Sequence, residues 1–155
     1  MKLIIIDPRQ RTVAEEDVPA TPRAYQAIVD GKIEVQAKLA NGDNVWANEE
    51  GLLRPPYHWW SLYETPLVIT GRAFLSGLRY DARQMGDVIC QPKLRLHDFA
   101  SSVEWLTTEQ AREPWVVREA ARRAQGAEAH RRFAEGMGVS ADAVQRVFVE
   151  SQFAV

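Results

Sequence analysis

Residues 32–48 carry the pattern that most restricts the fold of this chain. Apolar and polar side chains alternate from residue 33 to residue 39, the apolar ones being Ile33, Val35, Ala37 and Leu39. A period of two is typical of a half-buried strand, whose apolar residues share one face. Asn41-Gly42 tolerates the positive φ angles of a tight turn, and residues 45–47 supply an apolar returning strand. The segment therefore predicts a β-hairpin.

Further strand signals fall within the first 92 residues. An unbroken β-branched run is typical of a strand covered on both faces, and a turn containing proline ends such a run. Proline also suits the first turn of a helix. These signals predict a strand over 3–6, a returning edge strand over 11–18, a helix from Pro22 that Asp30-Gly31 stops, an apolar strand over 67–75 with a bulge or close approach at Gly71, and a short strand over 88–90.

Helical signals replace the strand signals after Pro92. Asp98 is a plausible N-cap, and Phe99, Val103 and Leu106 follow at the spacing of one helical face. Residues 107–110 have the composition of a capping box. We therefore predict an α+β fold: a small antiparallel or mixed sheet with packed helices over residues 1–106, then a helical C-terminal region over residues 107–155.

Composition limits the class of protein. The chain has 155 residues, of which 46% are hydrophobic, so it can bury a core without a disulfide or metal staple. Cys90 is the single cysteine, which excludes an internal disulfide and a cysteine zinc site. No apolar run approaches the length of a membrane span. The formal net charge of −2 argues against a wholly basic nucleic-acid binder. We expect a cytoplasmic protein with no membrane contact.

The search for catalytic motifs is largely negative. The sequence has no phosphate-binding loop of the GxxxxGK[ST] type, no HExxH and no GxSxG. His58, His97 and His130 are far apart, and none has a second ligand at helical spacing. Glu49-Glu50 could serve acid–base work or hold a cation, but a solvated turn is the competing interpretation. We therefore predict no catalytic residue, no metal and no cofactor.

Residues 52–60, Leu-Leu-Arg-Pro-Pro-Tyr-His-Trp-Trp, form the most distinctive candidate surface. Two prolines prevent regular pairing, and large aromatic side chains are enriched at binding hot spots. Two arginines could add contacts to anions. The predicted partner-binding residues are Arg54, Tyr57, His58, Trp59, Trp60 and Arg72. The alternative is that both tryptophans fold back over the sheet as a lid on the core.

The C-terminal segment has the loose spacing of a helix-turn-helix motif, with Gly138 in the turn and Ser140 as the cap of a second helix. Seven arginines and seven acidic residues over 107–155 give no net charge, whereas DNA-binding modules are typically basic. A helical hairpin packed on the sheet or on a partner is therefore the alternative. The DNA-binding hypothesis names Arg122, Arg123, Arg131, Arg132, Ala141, Gln145 and Arg146.

Four segments of the first half resemble a domain family of unknown function whose members occur mainly in phages, plasmids and other mobile elements. The segments are the Met1-Lys2 opening with its Ile-rich strand and Asp7-Pro8, residues 28–34, Asn48-Glu49-Glu50-Gly51, and residues 69–74. The resemblance covers about residues 1–106 and implies a compact α+β accessory protein, without established catalytic residues. This chain departs from the family at residues 57–60, where an Asn-Arg pair is common, and after residue 107.

These observations favour a non-enzymatic accessory protein of a phage or other mobile element. The resemblance implies that it binds a host protein or protein complex, as an anti-CRISPR-like inhibitor of host defence does. Two alternatives stay open: a DNA-binding regulator, and a small-ligand or nucleotide-binding domain near Glu49, Glu50, Arg54 and Arg72. A homodimer is compatible with each of them.

Overall fold

A computed structural model describes residues 1–63, 67–114, 117, 123 and 124. Of these residues, 42% lie in strands and 23% in helices, and the strands form two antiparallel sheets. The α+β prediction is therefore wrong, because the fold is mostly β with few, short helices. The chain divides into two compact units, Met1–Ala111 and Arg112–Val155. Most of the predicted helical C-terminal region lies outside the described residues.

Nine strands and three helices are described. In chain order they are β1 (Lys2–Asp7), β2 (Thr12–Asp17), α1 (Pro22–Val29), β3 (Ile33–Lys38), β4 (Asn44–Asn48), β5 (Trp59–Leu62), β6 (Val68–Thr70), β7 (Ala73–Asp81), β8 (Gly86–Cys90), α2 (Leu96–Ser102), β9 (Val103–Leu106) and α3 (Thr108–Arg112). A single 3₁₀ turn, Gly51–Leu53, lies between β4 and β5. No described helix has the length and apolar character that crossing a membrane requires.

The larger sheet has the strand order β2-β1-β7-β4-β3, and β8 also pairs with β7. The smaller sheet has the order β6-β5-β9, and every pair in both sheets is antiparallel. Gly71 and Arg72 connect β6 in one sheet to β7 in the other. The apolar run over 67–75, predicted as one strand, is thus two strands, and Gly71 (φ +86°) makes the turn between them.

Two apolar clusters hold these layers together. On one face of the larger sheet, Leu3, Ile5 and Phe74 pack with buried residues of α1. Helix α1 begins at Pro22, as the sequence predicts, and the structure adds Thr21 as its N-cap. On the opposite face, a second cluster joins the larger sheet to Trp60 of the smaller sheet and to Phe99 of α2. Each fully buried side chain of this size contributes about 1.5–3 kcal/mol of transfer free energy.

The predicted hairpin over 32–48 is confirmed, but its apolar residues do not share one face. The register of β3 against β4 shifts between Val35 and Ala37, so a bulge interrupts the alternation. Ile33 consequently packs in the cluster under α1, whereas Ala37 and Leu39 pack in the cluster under the smaller sheet. A bulge places one extra residue on one strand and so reverses which face the next side chains occupy.

The helix predicted from Asp98 is shorter than expected. Helix α2 has Arg95 at its N-cap, holds Asp98 in its first turn and ends at Ser102. Val103 and Leu106 belong to β9, which pairs with β5. Tertiary strand pairing therefore overrides the helical spacing here. The capping box is confirmed: the Thr107 N–H donates to Gln110 Oε1 (2.9 Å), and the Gln110 N–H donates to Thr107 Oγ1 (3.1 Å).

Candidate functional site

The candidate binding residues of the first half of the chain lie at one end of the two sheets. Strands β1 and β4 finish there at Asp7 and Asn48, and Arg72 lies there just before β7. In the smaller sheet, Trp59 pairs with Thr70 at the same end, where the Gly71 N–H donates to the His58 carbonyl (3.1 Å). The segment that joins β4 to β5, residues 49–58, is called the β4–β5 loop below.

Asn48 anchors the start of this loop to the end of α1. Its Nδ2 donates to the carbonyls of Val29 (3.2 Å) and Asp30 (3.0 Å), and its Oδ1 accepts from the Glu50 N–H (2.8 Å). The last carbonyls of a helix have no partner within the helix, so a side-chain donor satisfies them. Asn48, the first residue of the Asn-Glu-Glu-Gly segment, therefore holds the loop against the end of α1. No local sequence pattern predicts this structural role.

Arg54 ties the middle of the loop to the same helix end. Its Nη1 donates to the Asp30 carbonyl (2.7 Å) and lies 3.6 Å from Asp30 Oδ2, while its Nη2 lies 3.6 Å from Glu50 Oε2. Arg72 is paired as well, with its Nε 3.6 Å from Asp7 Oδ2. The two arginines that were predicted to contact anions are thus already paired with carboxylates of this chain. These pairs are partly exposed and contribute little to stability.

The two adjacent glutamates form a solvated turn. Glu49 and Glu50 are exposed, and they contact different cations: Lys32 Nζ lies 3.8 Å from Glu49 Oε1, whereas Glu50 faces Arg54. Among the described residues, no group of three or more His, Cys, Asp or Glu side chains could hold a metal ion. The structure thus places these carboxylates as the turn interpretation expects, and it does not bring them together as a pair.

Two leucines of the β4–β5 loop are exposed to solvent. Leu52 is 66% exposed and Leu53 is 77% exposed, although most large apolar side chains of the described strands are buried. Both leucines lie in the 3₁₀ turn, where the Leu53 N–H donates to the Glu50 carbonyl (2.9 Å). Neither was among the predicted site residues. The available signal was a pair of leucines directly before a segment that two prolines keep out of any sheet.

Tyr57 closes the loop and is partly exposed (38%). Its hydroxyl donates to the Leu52 carbonyl (2.7 Å), and its ring centroid lies 5.2 Å from that of Trp59. The loop therefore carries a small apolar surface formed by Leu52, Leu53 and Tyr57. We call these three residues the loop patch.

The two tryptophans of segment 52–60 differ in burial. Trp60 is fully buried in the cluster between the sheets, and its Nε1 donates to the Gly71 carbonyl (3.1 Å). Its inclusion among surface-binding residues is therefore wrong, because strand alternation turns it inward. Trp59 and His58 are half-buried, and Trp59 Nε1 has no hydrogen-bond partner among the described residues. For Trp60, the alternative of packing on the core is correct.

The DNA-binding hypothesis rests on seven residues, of which only Arg123 is described, as an exposed residue. The other six lie outside the described residues, so this hypothesis stays a prediction. The small-ligand alternative also stays a prediction.

A family model described as a domain of unknown function (DUF3846) matches residues 1–92. The chain belongs to this family. The match includes α1 and strands β1 to β8, hence the whole larger sheet and the β4–β5 loop. It confirms the resemblance to a family of unknown function but ends before residue 106. Searches of curated proteins and of solved structures found no match.

Proposed function

We propose that this DUF3846 protein is a non-enzymatic binding protein and that the loop patch docks on another protein. The exposure of Leu52 and Leu53 carries the proposal. A small domain gains stability by burying such side chains, so two neighbouring leucines left in water, beside a partly exposed tyrosine, are typical of an interaction surface.

Preorganisation of the loop supports the proposal. The Tyr57 hydroxyl, the Arg54 guanidinium and the Asn48 amide each bind a backbone carbonyl, so contacts to α1 and within the loop fix its course. Association normally costs conformational entropy when a loop becomes ordered at the interface. A loop that is already held in place avoids most of that cost. Such surfaces change little in backbone shape on binding.

The surroundings of the patch also fit a protein partner. Asp30, Glu50 and Arg54 lie beside it with partly or fully exposed side chains. Protein interfaces commonly combine an apolar centre with a polar rim. The charged groups pair with one another in the free protein, and they are placed to exchange those pairs for contacts with a partner.

The family resemblance supports a finer version of this proposal. In it, the protein is an accessory factor of a phage or other mobile element, and the partner is a host protein, such as a component of a host defence system. Tyr57 of the loop patch would then be specific to this member, because the sequence departs from the family pattern at residues 57–60.

The test is capture of partners by the full-length protein and by a Leu52→Ser/Leu53→Ser variant. We expect proteins retained by the wild type to be lost with the variant, whose fold is preserved because both side chains are already exposed. Met85→Ser, which removes another exposed apolar side chain outside the loop, is the matched control and should retain them. Equal retention by all three proteins would refute the role of the loop patch.

A further inference from the structure

Five described strands have a partner on one side only along their whole length: β2, β3, β6, β8 and β9. A strand at the edge of a sheet presents unpaired backbone N–H and C=O groups, which can recruit another strand. Native proteins protect such edges with charges, bulges or short length. The edge with the fewest of these protections is the one available for association.

Four of the five edges are protected. Strand β2 carries Glu15, Glu16 and Asp17 in succession, and β3 contains both charged side chains and the bulge beyond Val35. Strands β6 and β9 are only three and four residues long. These features disfavour the pairing of another strand along each of these edges.

Strand β8 is the least protected of the five edges. Its five residues, Gly-Asp-Val-Ile-Cys, include one charge and no proline, and its register with β7 is unbroken. The hairpin that it forms with β7 also exposes Leu78 (37%) and Tyr80 (65%). This hairpin extends from the end of β7 opposite to Arg72, and so lies away from the β4–β5 loop.

We propose that β8 pairs antiparallel with β8 of a second copy of this chain, about a two-fold axis at Val88. In that register Val88 faces Val88 of the second copy, and Asp87 faces Ile89 of the second copy. The one charge of β8, Asp87, therefore never meets its own equivalent, so a second copy pairs along this edge without like-charge repulsion. The edge of β8 is therefore compatible with a second copy of itself.

The two-fold register also extends the apolar surface of the hairpin. Within one copy, Leu78 pairs with Ile89 and Tyr80 pairs with Asp87. Cross-strand partners share a face, so the dimer aligns Tyr80, Asp87 and, from the second copy, Ile89 and Leu78 in one row. The exposed side chains of both copies thereby gain neighbours. Arg79 of each copy lies three strand spacings from its equivalent, about 14 Å, beyond the distance at which salt screens charges.

An interface built on one pair of five-residue strands is small, so the dimer should form at micromolar concentration rather than below it. The test is sedimentation equilibrium of the full-length protein from about 5 to about 500 µM, which spans the affinities expected of such interfaces. We expect the mass to rise toward that of a dimer over this range.

Charge variants test the register. Val88→Lys and Val88→Glu should each raise the dissociation constant by roughly three- to tenfold, because like charges then face each other. An equal mixture of the two variants should restore or exceed wild-type association, because an ammonium and a carboxylate would then face each other across the axis. The same two substitutions at the exposed Gln84 in the hairpin turn are the control and should change nothing.

A second measurement guards against misfolded charge variants. In a Cys90→Ser background, Val88→Cys should form a disulfide-linked dimer on mild oxidation, because directly opposed Cβ atoms lie within bonding range. The proposal is overturned if the wild type stays monomeric at the highest concentration. It is equally overturned if the Lys and Glu variants, both folded by circular dichroism, associate no better together than apart.

Discussion

Replacing Asp43 should strongly lower the free energy of unfolding, although it removes only a small side chain. It is fully buried at the turn between β3 and β4. Its carboxylate accepts hydrogen bonds from the Lys93 N–H (3.0 Å), the Leu94 N–H (2.9 Å) and Asn41 Nδ2 (3.0 Å). One side chain thus satisfies two backbone donors about fifty residues away and joins the hairpin to the segment before α2.

The cost of Asp43→Ala follows from those three donors. A hydrogen bond to a charged group contributes about 1.5–3 kcal/mol, and a buried donor left without a partner costs about 1–3 kcal/mol. If water reaches one of the three donors in the variant, the two backbone groups still give a loss of about 3–6 kcal/mol. Domains of this size have a total stability of about 5–15 kcal/mol, so the variant should be marginally folded.

Urea denaturation followed by tryptophan fluorescence measures this loss as a shift of the unfolding midpoint at constant slope. Lys93→Ala is the matched control, because the backbone N–H that binds Asp43 remains and only an exposed bond from Lys93 Nζ to the Asn41 carbonyl is removed. The control should lose less than about 1 kcal/mol, as is usual at exposed sites. Equal losses for Asp43→Ala and Lys93→Ala would refute the reasoning.

Three further predictions concern other glycine and aromatic positions. Gly77→Ala should cost about 1–3 kcal/mol, because its Cβ would lie 2.6 Å from a carbonyl oxygen, whereas Gly86→Ala meets nothing closer than 3.9 Å and should cost less in the same urea titration. Trp60→Phe should lose about 1 kcal/mol more than Trp59→Phe, because, of these two indoles, only that of Trp60 has a hydrogen-bond partner among the described residues. Burial raises the pKa of the Tyr25 hydroxyl above its usual value of 10.0, so stability should fall as pH rises above 10. Thermal melts of Tyr25→Phe should show a weaker alkaline loss.

Local signals in the sequence predicted the local structure well. Pro22 marks the start of α1, and the capping box at Thr107 forms as its residue types predict. The hairpin over 32–48 also forms, because its turn and its alternation are properties of a short segment. In each case the interactions that decide the structure lie within a few residues along the chain.

The failures involve partners that are distant in sequence. Val103 and Leu106 have helical spacing, yet pairing with β5 makes them a strand. The bulge beyond Val35 depends on how both faces of the larger sheet are covered. The helical signals after Pro92 received too much weight for the same reason, and the α+β prediction failed with them.

Of the three residues of the loop patch, Tyr57 was among the predicted binding residues, whereas Leu52 and Leu53 were not. The segment 52–60 does carry an exposed surface, but the burial of Trp60 and the exposure of Leu52 and Leu53 depend on where β5 enters the smaller sheet. Sequence alone also could not show that Arg54 is held by Asp30, since these two residues meet only through the end of α1.

Site-specific photocrosslinking tests the central claim most directly. A photoreactive phenylalanine analogue at position 53, in the loop patch, should give a covalent adduct with another protein when the full-length chain is irradiated in cells. The same analogue at Glu16, an exposed position on β2, should give none. No adduct from position 53, or the same adducts from both positions, would contradict a binding role for the β4–β5 loop.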